Sequence, residues 1–336
     1  MSIRAAQLTD LGRIDQLYHD GLQLALQGEG ATHPIRLWQI LTRTLSAMLP
    51  LATASEMLFV LEDEDRMLGF IQGEVLSGSG RGDEAREAVR VLNLSLDPEL
   101  PGAAGGPLID HLCNAALERG VTRTYVRLPE GHSVAESFKA QDFQQYATER
   151  VFLLHDGGSL QPGPAPAGVR PARRKDLLGL FALYLAATPK TVSQVEAPDF
   201  GDWRAVYETE FLGRFGRRSV PSLVVERGGE VAGWLGLEPA AAGRPHTAWM
   251  LARPDLSPGG ELQKEFLGEV ARRLGSGGGP IWCNVRSYDM LTTRVLQDAG
   301  FEPLAGQELL VREMRARVRV AVRKTRKEKA LAPAFG

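Results

Sequence analysis

The sequence contains two segments of small residues that could hold a phosphate group. They contain Gly102, Ala103, Ala104, Gly105 and Gly106 in one case, and Gly259 and Gly260 in the other. Small side chains let a phosphate approach the backbone, and the first amides of a following helix are unpaired and carry the positive end of the helix dipole. Each segment predicts a strand-to-helix turn suited to a diphosphate, although turns of this kind more often serve the fold alone.

Three titratable side chains could move a proton near these turns. Glu74 ends a predicted strand and could take a proton from an ammonium group, directly or through water. His132 follows a later strand and titrates near neutral pH, and Tyr288 follows the matching strand further along the chain. Each has an ordinary alternative as a side chain in water or in the core, so they are candidates for general base and acid.

The two cysteines give no sign of a metal or disulfide site. Neither Cys113 nor Cys283 has a histidine or second cysteine at metal-binding spacing. Both are predicted to be core thiols, and no metal is expected.

The chemistry-bearing segments lie at equivalent places in two copies of one pattern. Ile3-Arg4, Ala6 and Asp10-Leu11 recur at the same spacing as Val169-Arg170, Ala172 and Asp176-Leu177. A repeated unit of about 160 residues has the size of a whole domain. We therefore expect an N-terminal domain at 1–155, a linker rich in glycine and proline at 156–168, a C-terminal domain at 169–313 and a basic tail at 314–336.

Each copy shows the same order of predicted elements. An opening strand leads into a helix near Asp10 or Asp176, and a variable helical stretch follows, with Trp38 in one copy and Trp203 in the other. A hairpin, a long strand, the glycine-rich turn, a helix, a strand, a short helix and a closing strand complete the copy. This order predicts an α/β (α+β) fold in which a mixed, mostly antiparallel sheet is flanked by helices. The two tryptophans are expected in core or interdomain packing, with a substrate pocket as the alternative.

Composition limits the partners. The chain has 336 residues, 43% of them hydrophobic, and a net charge of −2, so two ordinary cores are expected and no general attraction to nucleic acid or anionic membranes. The sequence has no apolar signal core at its start and no uncharged apolar run of about 18 residues, so a cytoplasmic location is expected. The basic tail could contact RNA, but a solvated end is the commoner reading of such a run.

These landmarks resemble the GNAT superfamily of acyl-CoA-dependent N-acyltransferases, as two tandem copies that cover nearly the whole chain. The likeness rests on the opening pattern, the central turn and the Ala299-Gly300-Phe301 ending, with Gln141-Asp142-Phe143 at the same place in the first copy. The resemblance implies that acetyl-CoA, or a related thioester, is a co-substrate and that a primary amine of a small molecule or peptide accepts the acyl group. It also implies two tandem acyl-CoA N-acyltransferase-like domains. A monomer and a homodimer are both left open.

The resemblance further implies where the co-substrate lies. The turn residues above would hold its diphosphate, while Leu94 and Leu96 on the splayed fourth strand and Phe138 on the short helix would line the pantetheine arm. The family often has a tyrosine at the position of Phe138, as general acid toward the departing thiolate, and the second copy has Leu296 there. Neither side chain can donate a proton.

We favour the first copy for the co-substrate. Its turn has the fuller set of small residues, whereas Glu261 and Glu265 of the second copy would lie near a bound diphosphate. The alternative is a tandem protein without turnover that acts in binding or regulation, with the basic tail touching RNA or another polyanion. A third reading is transfer of an aminoacyl group from charged tRNA.

Overall fold

The computed structural model describes residues 1–18, 56–64, 66–77, 87–163, 166–212, 222–240, 245–274 and 278–314. Trp38 and the basic tail after Met314 lie outside these ranges.

The strands form one twelve-stranded sheet with the order β1-β2-β3-β4-β5-β12-β6-β11-β10-β9-β8-β7. The strands of the first half are β1 (Ser2–Ala5), β2 (Glu56–Asp63), β3 (Arg66–Ser77), β4 (Glu87–Leu96), β5 (Arg123–Pro129) and β6 (Gln144–Leu154). Those of the second half are β7 (Val169–Pro171), β8 (Ser222–Arg227), β9 (Glu230–Glu238), β10 (His246–Ala252), β11 (Ile281–Arg286) and β12 (Glu302–Glu313). The predicted mixed, mostly antiparallel sheet is confirmed.

The two halves exchange their last strands. β12 of the second half lies between β5 and β6, and β6 of the first half pairs with β11. In the middle, β6 and β12 run antiparallel, with Glu149 opposite Gln307. Each half of the sequence therefore completes the sheet of the other.

Helices cover both faces of the sheet. The described helices are α1 (11–18, as far as it is described), α2 (Gly106–Glu118), α3 (Ala135–Ala140), α4 (Leu177–Ala187), α5 (Lys190–Glu196), α6 (Phe200–Leu212), α7 (Glu261–Leu274) and α8 (Met290–Asp298). Buried apolar residues of α2, α3, α7 and α8 pack on one face, and those of α1, α4 and α6 pack on the other. The core thus consists of two apolar layers, one on each side of the sheet.

The repeated Arg–Asp pattern is an ion pair that joins the first strand of each half to the start of its first helix. Asp10 accepts hydrogen bonds from Arg4 Nη1 at 2.7 Å and from the Gln7 amide at 2.6 Å. Asp176 accepts the same bonds from Arg170 Nη1 and from the Arg173 amide, both at 2.7 Å. In each pair the guanidinium group lowers the pKa of the carboxyl group.

The variable helices of the second half pack on strands of the first half. α6 crosses β3 and β4, where Arg123 of β5 forms a 2.7 Å ion pair with Asp202 of α6. Trp203 is fully buried among Phe200, Tyr207 and other aromatic residues, as expected for core or interdomain packing. Cys113 and Cys283 are buried free thiols, also as predicted.

Candidate functional site

Each half has a cleft where two parallel strands separate. β4 and β5 pair only at Val89 with Thr124 and at Arg90 with Tyr125, after which β4 continues to Leu96 without β5. β10 and β11 pair only over 246–248 and then separate in the same way. Beyond the point where each pair of strands separates, backbone amides that face the cleft are therefore available to a ligand.

The two clefts differ in a β-bulge. Between β3 and β4, Gln72 faces Asn93 while the next residue, Gly73, faces Val91, so Leu92 has no counterpart. The register of β9 and β10 has no such shift from Thr247 to Ala252. A β-bulge bends the strand that contains it and changes the direction of the side chains and amides that follow. Of the two clefts, the first therefore has a bent strand, β4, at its opening.

The turn of the first half ends in a helix whose first amides are uncapped. Gly102–Gly105 form a single 3-10 turn, and α2 begins at Gly106 with no side-chain cap among the described residues. A Cβ atom on Gly105 would lie 3.2 Å from Leu94 Cδ2 and 3.5 Å from Leu96 Cδ1, so the turn packs closely on β4. Gly105 is thus needed here for packing, and no described side chain caps the start of α2, where Pro107 has no N–H of its own.

The equivalent turn of the second half is capped by its own side chains. The fully buried Ser257 accepts a hydrogen bond from the Leu262 amide at 3.0 Å and donates one to Gln263 at 3.1 Å. The Glu261 carboxylate accepts from the Gly259 amide at 3.1 Å, and its own amide also lowers its pKa. A negative charge of the chain itself therefore lies where a diphosphate would bind.

The second turn is also tightly packed. Gly260 has a φ of +77°, and a Cβ atom there would lie 2.8 Å from Val295 Cγ2 of α8. Gly260 is therefore required by both its backbone conformation and its neighbour.

The three candidate proton carriers lie apart. Glu74 on β3 lies opposite Arg90, at the closed end of the first cleft, and faces away from α2. His132 follows the end of β5, which lies about 13 Å along the strand from Tyr125, where β5 still pairs with β4. Tyr288 lies after β11 in the second half.

Their surroundings also differ. His132 Nδ1 accepts a hydrogen bond from the Val134 amide at 3.2 Å, so the neutral ring carries its proton on Nε2. Burial raises the pKa of Tyr288, which is hydrogen-bonded to Thr188. Phe138 is fully buried in the core beneath α2, in ring contact with Phe143.

A polar pair beside the first cleft is absent from the sequence-based candidates. Asn93, directly after the bulge, donates a 2.8 Å hydrogen bond to Gln72, which is 1% exposed. Their neighbours Ile71 and Leu94 pack toward α2, so this pair faces the other side of the sheet, where Glu74 also lies. The sequence signal that could have identified this pair is a polar residue within each of two apolar runs, Phe-Ile-Gln and Leu-Asn-Leu.

In the part of the chain that is described, no three His, Cys, Asp or Glu side chains are grouped as metal ligands. No helix within the described ranges is long and apolar enough to cross a membrane.

No family model and no curated protein matches this sequence. Solved structures do match it. A GCN5-related N-acetyltransferase from Sphaerobacter thermophilus superimposes with a TM-score of 0.57 at 14% identity, over 94% of this chain and 96% of that chain. A tandem GNAT protein from the clavulanic acid biosynthesis pathway gives a TM-score of 0.55 at 16% identity, over 93% and 98%. Saccharomyces cerevisiae N-myristoyltransferase with bound myristoyl-CoA gives 0.51 at 10% identity, over 94% and 79%.

Proposed function

Because the chain has the tandem GNAT fold, we propose that it transfers an acetyl or related acyl group from acyl-CoA to a primary amine, and that the first cleft holds the acyl-CoA. The observation that carries this choice is the difference between the two turns. The amides at the start of α2 have no cap among the described side chains, whereas those of α7 are occupied by Ser257 and Glu261. A diphosphate can bind the first set without displacing an anion of the protein.

The residues of the first cleft fit such a ligand. Gly105 lets the turn pack closely on β4, and Leu94 and Leu96 give that strand an apolar surface beside the turn. When bound, the thioester supplies the carbonyl carbon that the amine attacks. Backbone N–H groups of β4 beyond Leu92, on the side that β5 has left, can donate to the oxygen on which negative charge develops.

Proton transfer is divided among separate groups. Glu74 is the proposed base, and the Nδ1 lone pair of His132 accepts the Val134 amide. Phe138 cannot protonate the thiolate, so that proton comes from another donor or from solvent. Tyr288 keeps its proton at neutral pH and is the candidate acid if the second half takes part.

One observation favours the binding-protein alternative. A fully buried Phe138 stands where a proton donor would serve turnover. A protein that binds acyl-CoA without transferring the acyl group would have no need of that donor.

Titration calorimetry with acetyl-CoA, followed by thiol release over a panel of primary amines, tests the proposed activity. We expect binding of one acetyl-CoA per chain and thiol release that depends on the amine. Glu74→Gln should lower the rate without weakening acetyl-CoA binding, while Glu87→Gln, at the exposed start of β4, should change neither. Binding without release with any amine would favour the alternative, and no binding would contradict both.

A further inference from the structure

A group of buried and partly buried polar side chains lies where the exchanged strands meet. Glu149 of β6 is directly opposite Gln307 of β12 on one side and Arg286 of β11 on the other. Glu149 is 4% exposed and Gln307 is 6% exposed. Asn284 precedes Arg286 by two residues on the same side of β11. We call these four residues the seam cluster, which contains residues from both halves of the chain.

Several atoms of the seam cluster lack partners. Glu149 Oε1, Gln307 Oε1, Asn284 Oδ1 and Arg286 Nη1 are buried and have no hydrogen-bond partner among the described residues. Glu149 Oε2 is 3.5 Å from both Arg127 Nη2 and Arg286 Nε, which is longer than the usual charged hydrogen bond of about 2.8 Å. Buried polar groups are nearly always satisfied, so three acceptors and one donor on one patch of sheet indicate a binding site.

The guanidinium group of Arg286 is held in place from its other side. Its Nη2 donates to Glu196 Oε1 at 2.6 Å and to the Tyr207 hydroxyl at 3.3 Å. Glu196 also accepts from Tyr146 at 2.9 Å and Tyr184 at 3.0 Å. Burial raises the pKa of all three tyrosines, which therefore stay neutral. This support fixes Arg286 while leaving Nη1 for a ligand.

The charges around the seam cluster balance. Arg127 and Arg286 are positive, and Glu149 and Glu196 are negative. A lone cation or anion bound here would bring an unbalanced charge into a buried place, which is costly. A ligand that carries both charges would not. Arg127, with its side chain 46% exposed, lies at the edge where the cluster meets solvent.

We propose that the seam cluster binds the ammonium and carboxylate groups of a free amino acid. The ammonium group would donate to Glu149 Oε1 and to the amide oxygens of Gln307 and Asn284, which match its three hydrogens. The carboxylate would accept from Arg286 Nη1. Glu149 and Arg286 are cross-strand neighbours, about 5 Å apart at Cα, so both ends of one α-amino acid can reach them. Such binding does not require the chain to bind acetyl-CoA.

Titration calorimetry of the full chain with each standard L-amino acid tests this. At least one should bind saturably, and its N-acetyl derivative and its methyl ester should each bind at least about tenfold more weakly, since each lacks one charge. The proposal is overturned if no amino acid binds, or if either derivative binds as well as the parent amino acid.

Two variants locate the site. Glu149→Gln keeps the shape and removes the charge, and should weaken binding by about 10- to 100-fold. Gln307→Met removes one acceptor at similar side-chain size and should weaken amino-acid binding by a smaller factor. This variant provides a second test of the site if Glu149→Gln fails to fold. Glu302→Gln on the same sheet, where the side chain is 75% exposed, should leave binding unchanged. Unchanged binding in a folded Glu149→Gln or Gln307→Met chain would refute the seam cluster as the site.

Discussion

Replacing Gly106 with Glu should transfer the capping arrangement of the second half to the first. Gly106 and Glu261 are the first residues of α2 and α7. A glutamate at 106 would bring a carboxylate to the α2 amides, as Glu261 does at the α7 end. A Cβ atom on Gly106 would lie 3.1 Å from Gln141 Nε2, the mobile end of a side chain that can move aside. We therefore expect a folded protein with weakened acetyl-CoA binding.

Two effects set the size of the loss. A carboxylate about 5 Å from a diphosphate with about two charges opposes binding by about 1.7 kcal/mol at the dielectric constant of water. Displacing a carboxylate from the amides that it caps costs about 1 kcal/mol more. Together they give about 2.7 kcal/mol, or about a 100-fold rise in Kd. The electrostatic part should shrink as salt is added.

Titration calorimetry with acetyl-CoA measures this change. Gly106→Gln, of similar size and without charge, should bind within a few-fold of the parent, and Glu261→Gln should leave Kd unchanged. The reasoning fails if Gly106→Glu binds acetyl-CoA like the parent while Glu261→Gln alters the affinity, because the ligand would then lie in the second half.

Three further predictions concern stability. Asp176→Asn should destabilise the protein by about 1.5–3 kcal/mol at neutral pH in denaturant titrations. Because Arg170 lowers the folded-state pKa of Asp176, the ion pair stabilises the protein fully above the unfolded pKa of about 3.9, and this stabilisation is lost as pH falls through the lower folded pKa. A stability difference between Asp176→Asn and the parent that stays constant down to acid unfolding would contradict this. Gly260→Ala should lower the free energy of unfolding by about 2–4 kcal/mol, through backbone strain and contact with Val295. Gly228→Ala should lower it by about 1–2 kcal/mol, because φ there is +61° but no atom lies within 4 Å of the added Cβ. Equal losses in the two variants would contradict the packing explanation. Ser257→Ala should lower Tm by about 3 °C, from a loss of about 2 kcal/mol, while the exposed Ser159→Ala should change it little. Neither variant should change acetyl-CoA affinity, and a weakened affinity in Ser257→Ala would place the ligand at the second turn.

The sequence predicted the elements well because their signals are local. The long strand predicted before the first glycine-rich turn and the opening strands before Asp10 and Asp176 are present, since alternation and capping depend on near neighbours. The recurring Arg and Asp marked the duplication, and the structure adds the ion pair as its physical reason.

The exchanged strands were beyond the sequence because partner choice is not a local property. The apolar alternation of β12 does not specify whether this strand pairs with β5 of the first half or with β11 of the second. The bulge at Leu92 was missed for a similar reason, since it depends on how β4 lies against β3.

The site was predictable in part. The acidic residue at 261 was recognised as unfavourable for a diphosphate, but its bond to the Gly259 amide required coordinates. Glu149 and Arg286 were overlooked as a pair, because 137 residues separate two side chains that become neighbours only through the exchange. Whether Glu74, His132 and Tyr288 act in catalysis stays a prediction.

The position of β12 has a consequence for synthesis of the chain. Arg123 at the start of β5 meets Glu313 near the end of β12, 190 residues later. At translation rates of about 5–20 residues per second, the open edge of β5 waits about 10 to 40 s for its neighbour on the ribosome. Unpaired strand edges recruit other chains, so the nascent protein needs protection during that interval. The linker therefore separates two segments, each of which holds the strand that completes the sheet of the other.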